Sequence, residues 1–190
     1  MEKSGETKKY RRVVTGHAGG KSVIKSDEWL SPYGFKTVPG YEHTLVWMSS
    51  GVPELSREPK QADQPASVLP GPGGSSFHFV TFPPDSVFAD PSLDHRAARQ
   101  ESLQRLPGLA DTFERDDPKM HTTQTVDYAI VFEGEICLEL DDEETVHLKR
   151  GDVVIQNGTR HGWRNESTKS ATMLFVILGA SKSGIPTTPI

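Results

Sequence analysis

The chain has 190 residues, 34% of them hydrophobic and 25% charged, which fits one domain with a core and a large polar or loop fraction. Its 21 basic and 26 acidic residues give a net charge of -5 with no basic stripe, so nucleic acid is not an expected partner. The longest strongly apolar run, residues 173–180, is far short of the roughly 18 residues that cross a hydrocarbon core, so no membrane partner is expected.

The charged start MEKSGETKKYRR is followed by no apolar segment of the kind a secretory signal needs, so a cytoplasmic location is expected. Cys137 stands alone, which excludes an internal disulfide and a thiolate zinc cluster and points to His and carboxylate as ligands for any metal.

With 17 Gly and 14 Pro the chain turns often, which favours an all-β fold. Residues 11–15 and 21–26 flank His17-Ala18-Gly19-Gly20 as a hairpin would. Short β-branched and aromatic runs at 44–48 and 76–82 are separated by a Pro-, Gly- and Ser-rich loop at 52–74, read as an inert connector.

Residues 91–106 change to helix formers with Leu93, Ala97, Leu103 and Leu106 loosely at helical spacing, and this is the one helix expected. Strands are then expected at 122–132, 135–140, 145–148, 152–156, 161–165 and 171–178. Glu133-Gly134-Glu135, residues 141–144 and Lys149-Arg150-Gly151-Asp152 read as tight turns of a meander, closing into a sandwich or barrel.

The chemistry concentrates in MHTTQTVDYAIVFEG. His121 and Asp127 share strand parity, but six residues at about 3.3 Å each would hold their Cα atoms roughly 20 Å apart on one straight strand. A bend in 122–126 would instead put them on adjacent strands facing one interior, with Ala129 and Val131 continuing that face and Tyr128 pointing away. His161 follows a strand and a Gly turn, and Trp163 shares its parity. Two imidazoles and one carboxylate on neighbouring strands would make a facial triad that leaves positions open for substrate or oxygen.

His121-x-Thr123-x3-Asp127-x6-Gly134 resembles the first cupin motif, G-x5-H-x-H-x3,4-E-x6-G. Gly151-x6-Gly158-x2-His161-x3-Asn165 resembles the second, G-x5-P-x-G-x2-H-x3-N. Thr123 stands where the motif has its second His, Asp127 where it has Glu, and the glycines of the second motif are one residue closer, with Gln156 at the Pro.

The resemblance implies a single cupin barrel, a double-stranded β-helix or jelly-roll, with an N-terminal strand extension and one short helix. It implies N-terminal strands, loop and helix at 1–110, a cupin core at 111–180 and a tail at 181–190. It also implies that His121, Asp127 and His161 act as metal ligands and catalytic residues for a divalent ion, Fe(II) first, with Mn, Zn or Ni as alternatives.

RRVVTGH, KSVIKSDEW, VFEGEICLELDD, LKRGDVVIQNGTRHGWRN and MLFVILGA are similar to small cupin-domain oxidoreductases of fungal polyketide clusters. That likeness implies an oxidoreductase acting on a small polyketide or aromatic, salicylaldehyde-type intermediate of secondary metabolism. A homodimer, and pathway enzymes such as a polyketide synthase and short-chain dehydrogenases, are the partners it implies. The alternatives are a non-redox dehydratase, isomerase or decarboxylase, and a non-catalytic small-molecule-binding cupin.

Thr123, Trp163, His78 and Arg160 are the further pocket candidates, Arg160 as a partner for an anionic substrate and Phe132 as an apolar wall. His17, His43, His95 and His147 fit no ligand spacing and read as ordinary histidines.

Overall fold

The computed structural model describes residues 8–55 and 66–181. The middle of the expected 52–74 connector and nearly all of the expected 181–190 tail lie outside the described residues. β1 (Tyr10–Ala18) and β2 (Lys21–Leu30) form a separate two-stranded ribbon, turning at Gly19 and Gly20, both at positive φ. Both strands run further than the sequence pattern indicated.

β3 (Tyr33–Gly34), β4 (Glu42–Ser49) and β5 (Ser75–Phe82) are followed by α1 (Asp85–Phe88), α2 (His95–Arg105) and a 3-10 turn (Ala110–Thr112). Then come β6 (Met120–His121), β7 (Thr125–Glu133), β8 (Glu135–Glu139), β9 (Thr145–Lys149), β10 (Val153–Asn157), β11 (His161–Arg164) and β12 (Ala171–Gly179). The six-stranded sheet has the order β10-β7-β12-β5-β4-β3, and the four-stranded sheet β6-β11-β8-β9.

The jelly-roll that the resemblance implied is what forms, and only the reading of the C-terminal turns as a meander is corrected. From β6 onward the chain passes back and forth between two sheets, and only β8 and β9 are consecutive strands paired as a hairpin. Gly134 and Gly151 lie at sheet-to-sheet corners, between β7 and β8 and between β9 and β10. At Gly134, φ is +78° and a Cβ would sit 3.1 Å from the Ala171 Cα, so a side chain there would push β12 off the corner.

Alternation along β7, β5 and β12 sends Ala129, Val131, Val80, Met173, Phe175 and Ile177 inward, where they meet Ile136, Leu138 and Leu148 of the four-stranded sheet. Each buried aliphatic side chain contributes about 1.5–3 kcal/mol to closing the two sheets. Tyr128 points outward as expected, 45% exposed.

The expected helix forms as α2, capped by Asp94, whose carboxylate accepts from the Ala97 N–H at 2.9 Å. Its apolar stripe does not form: no α2 residue is buried, and Leu106, just past the helix, carries the contact with Phe35, Val38, Val68 and Ala110. Polar contacts hold α2 instead. The Glu101 carboxylate accepts from Tyr33 Oη (2.7 Å) and the Lys36 and Thr37 N–H groups (3.0 and 2.9 Å). α1 is an additional, one-turn helix, since Pro84 at its start presets the backbone for it. Among the described residues no helix is long and apolar enough to cross a membrane.

Candidate active site inside the barrel

β6 and β11 pair so that His121 and His161 lie directly opposite one another, ring centroids 4.3 Å apart. The approach depends on Gly162, opposite Met120. A Cβ there would fall 2.8 Å from Met120 Sδ and 3.0 Å from the Lys119 carbonyl, so a side chain would force the strands apart.

The His161 Nδ1–H donates to the Thr159 carbonyl at 2.9 Å, which assigns the proton to Nδ1 and leaves Nε2 as a free lone pair. His121 Nδ1 is buried with no hydrogen-bond partner. Phe113 stacks on the outer side of His121 at 4.4 Å, and Trp163 meets His161 edge-on at 6.0 Å and Phe175 at 5.7 Å. The imidazoles sit within a row of rings running into the apolar core.

Burial pushes the His121 imidazole down to about 3, helped by the neighbouring His161. His161 is lowered for the same first reason, burial. Both rings are neutral bases at pH 7, the form in which imidazole binds a cation or takes a proton.

Asp127 lies on β7, in the other sheet. The break at 122–124 falls within the expected bend, but it is a corner between sheets, so Asp127 is not on a strand adjacent to His121 and the expectation of three neighbouring strands is corrected. The carboxylate still faces inward: across the sheet, Ser76, Ile177, Asp127 and Gln156 stand in one register row. Asp127 is 6% exposed, Oδ1 has no partner, and burial raises its carboxyl to about 6, against a smaller lowering from the Thr125 hydroxyl.

Thr123 is buried beside it, its hydroxyl 2.7 Å from that of Thr125. Gln156, opposite Asp127, is a further interior polar residue to which the sequence reading assigns no site role. Its Oε1 accepts from the Thr159 hydroxyl at 3.0 Å, while its buried Nε2 has no partner. Thr159 thus orients both His161 and Gln156. The signal for Gln156 is a polar residue interrupting the apolar strand VVIQN.

Three other candidates fall differently. Arg160 is taken up by acids, paired to Glu114 at 2.7 Å through both Nε and Nη2 and to Asp141 at 2.8 Å, so its expected role as an anion receptor is corrected. Phe132 is 43% exposed and packs on Phe79 and Tyr10 outside the barrel, so it lines no interior pocket. His78 is interior, but both its nitrogens are occupied, by His43 at 2.9 Å and Ser76 at 2.7 Å.

The donor set of His121, His161 and Asp127 suits a divalent ion, and two buried atoms of it, His121 Nδ1 and Asp127 Oδ1, lack any partner. The ligand atoms of these three do not all lie within 4.8 Å of one another, so ligation would draw Asp127 and the imidazoles together. Among the described residues the group that meets that spacing is Cys137, His147 and Glu166, outside the barrel. A concavity of about 400 Å³ also lies outside, between the β1–β2 ribbon and β4–β5, and its titratable groups are Arg11 and Arg12 alone.

Residues 112–177 match the family model for the cupin domain. Over 81 residues the chain is 46% identical to "Phomopsin biosynthesis cluster protein C'" of Diaporthe leptostromiformis, covering 40% of this chain and 43% of that protein. Over 62 residues it is 39% identical to "Cupin-domain-containing oxidoreductase virC" of Hypocrea virens, covering 31% and 32%. The chain thus spans less than half the length of the curated relatives it matches. A Cupin 2 conserved barrel domain protein from Salinispora arenicola aligns with a TM-score of 0.38 at 11% identity, over 74% of this chain and 76% of that one. The segment that matches the cupin model, residues 112–177, carries the facing histidines and Asp127 within the two-sheet jelly-roll.

Proposed function

We propose that this cupin barrel is the site of a metal-dependent oxidoreductase acting on a small polyketide-derived or aromatic intermediate of secondary metabolism. The observation that carries the reading is the facing pair of neutral, buried imidazoles, with His121 Nδ1 lacking a partner among the described residues, in the same interior as a carboxylate whose Oδ1 also lacks one. The names of the relatives support the biosynthetic setting and the redox class.

His121, His161 and Asp127 would hold the ion, which when bound supplies a Lewis-acidic centre, redox-active if it is Fe(II), with open coordination positions. Trp163 and Phe175 offer an apolar, edge-presenting wall for an aromatic ring. Gln156 Nε2 is a donor with no partner of its own, suited to a substrate carbonyl oxygen. A polyketide synthase and short-chain dehydrogenases are the pathway enzymes this role would place beside it.

The test is oxygen uptake by the iron-reconstituted chain with aromatic and polyketide aldehydes. Substrate-dependent uptake that disappears in His161→Ala supports the reading. No uptake across that series, with the ion bound, overturns the redox step.

One observation favours a second, non-redox reading. Asp127, raised to about 6, is poised to take and return a proton near neutral pH, as a dehydratase, isomerase or decarboxylase requires. Turnover by the zinc-loaded chain without oxygen, lost in Asp127→Asn, would establish that reading over the first.

A further inference from the structure

The outer face of the four-stranded sheet carries a separate group of ligating side chains. On β8, Ile136 and Leu138 point into the core, so Cys137 between them points outward, directly opposite His147 of β9. Glu166 lies two residues beyond the end of β11, whose Arg164 is the other neighbour of Cys137. One ligand atom from each of Cys137, His147 and Glu166 lies within 4.8 Å of the other two.

We propose that Cys137, His147 and Glu166 form a second metal site, for a single thiophilic divalent ion of the Zn²⁺ class, independent of the barrel interior. The proposal departs from the expectation that a lone cysteine leaves only His and carboxylate ligands: one thiolate suffices when an imidazole and a carboxylate stand beside it.

Four-coordinate zinc takes sulfur at about 2.3 Å and nitrogen or oxygen at about 2.0–2.2 Å, which sets ligand atoms roughly 3.4–3.6 Å apart in a tetrahedron. The observed spacing requires closure by no more than about 1.5 Å at those bond lengths. His147 and Glu166 are exposed and supply that movement by side-chain rotation, while Cys137, 2% exposed, is the fixed point.

The charges balance: one thiolate and one carboxylate neutralise a divalent cation, with the imidazole neutral and a water in the fourth position. Thiolate donation selects against Ca²⁺ and Mg²⁺, which take oxygen. On binding, the S–H bond breaks, the sulfur–metal bond forms and the proton passes to solvent, with no change of oxidation state.

Arg164 is the competing cation, with Nη1 3.5 Å from Glu166 and Nε 3.9 Å from Glu139. It is also anchored to Asp85 at 3.0 Å, so it can release Glu166 without being left unpaired. The ion would tie the edge strand β9 to β8 and to the segment after β11, at the exposed side of the sheet where β9 has no further neighbour.

The experiment is a Co²⁺ titration of the full chain, read by the near-ultraviolet thiolate-to-cobalt charge-transfer band. We expect a saturable band at one equivalent, bleached by Zn²⁺, absent in Cys137→Ser and requiring at least tenfold more cobalt in His147→Ala and in Glu166→Gln. The band persists in His161→Ala, which separates this site from the barrel. Should Cys137→Ser fold poorly, the two exposed variants decide. Absence of the band, or a band indifferent to both His147→Ala and Glu166→Gln, overturns the site.

Discussion

The jelly-roll holds two histidine pairs in opposite states, with His78, His121 and His161 buried and His43 half-buried. At His43 and His78 every step of a hydrogen-bond chain is assignable: Ser76 Oγ donates to the Val68 carbonyl, so His78 Nε2–H donates to Ser76 and His43 Nε2–H donates to His78 Nδ1. The chain is complete with both rings neutral, and burial takes His43 to about 4 and His78 to about 3. At His121 and His161 satisfaction is partial: His161 Nδ1 donates to Thr159 and the His121 ring meets the Lys119 and His161 backbone, but among the described residues His121 Nδ1 is buried without a partner. Unequal satisfaction distinguishes a pair whose hydrogen bonds tie β4 to β5 from a pair with a buried nitrogen left open, the one proposed to hold a ligand.

Removing an imidazole from the second pair sharpens that contrast most. His161→Ala or His121→Ala is expected to lower metal affinity by more than about a hundredfold, beyond the 10–100-fold typical of groups that merely orient a ligand. The thermal midpoint should fall less in His121→Ala, whose Nδ1 has no hydrogen bond to lose, than in His161→Ala, which strips the Thr159 carbonyl of its donor. Isothermal titration alongside thermal unfolding checks both.

Gly162→Ala is the next largest. The added methyl meets Met120 Sδ and the Lys119 carbonyl, so we expect a loss of roughly 1–3 kcal/mol in denaturant unfolding together with weakened metal binding. His78→Ala should give the inverse profile: roughly 1–3 kcal/mol of stability lost as the His43 N–H and the Ser76 hydroxyl lose their partner, with metal affinity unchanged. Equal effects of His78→Ala and His161→Ala on metal binding would break the comparison.

The pH response follows from the same groups. His43, His78 and His121 have folded values below the unfolded 6.5, so between about 6.5 and about 3 the unfolded chain binds more protons and stability falls as the pH is lowered. Asp127 acts oppositely: raised to about 6 from 3.8, it contributes stability below about 3.8 that is lost as pH rises through about 6. With His161 also lowered by burial, four imidazoles against one carboxyl give net acid destabilisation, and Asp127→Asn should remove the opposing contribution and steepen the profile between about 4 and 6. The smallest effect is on the outer face, where replacing the exposed Ile155 by Thr should stay within about 0.5 kcal/mol.

Much of this was legible in the sequence where chemistry is local. Gly19-Gly20 announced the first hairpin, Asp94 and the helix formers announced α2, and the spacings around His121 and His161 marked two residues that the fold places face to face. What was not legible depended on which sheet a strand joins. Glu133-Gly134-Glu135 reads identically as a hairpin turn or as a corner, so the jelly-roll crossing, and with it the separation of Asp127 from the histidines' sheet, appears only once the two walls are packed. Arg160 reads as free in the sequence because its acids, Glu114 and Asp141, are far along the chain, and the pairing of Cys137 with His147 goes unread because cross-strand register is invisible there.

The central claim is that the facing imidazoles are ligands, and elemental analysis of the purified Cys137→Ser chain tests it most directly, since that background silences the outer site. The account predicts close to one transition-metal ion per chain, lost when His161→Ala is added. A metal-free Cys137→Ser chain that takes up no Fe(II), Mn²⁺, Zn²⁺ or Ni²⁺ on reconstitution, or an ion content unaffected by His161→Ala, would contradict it.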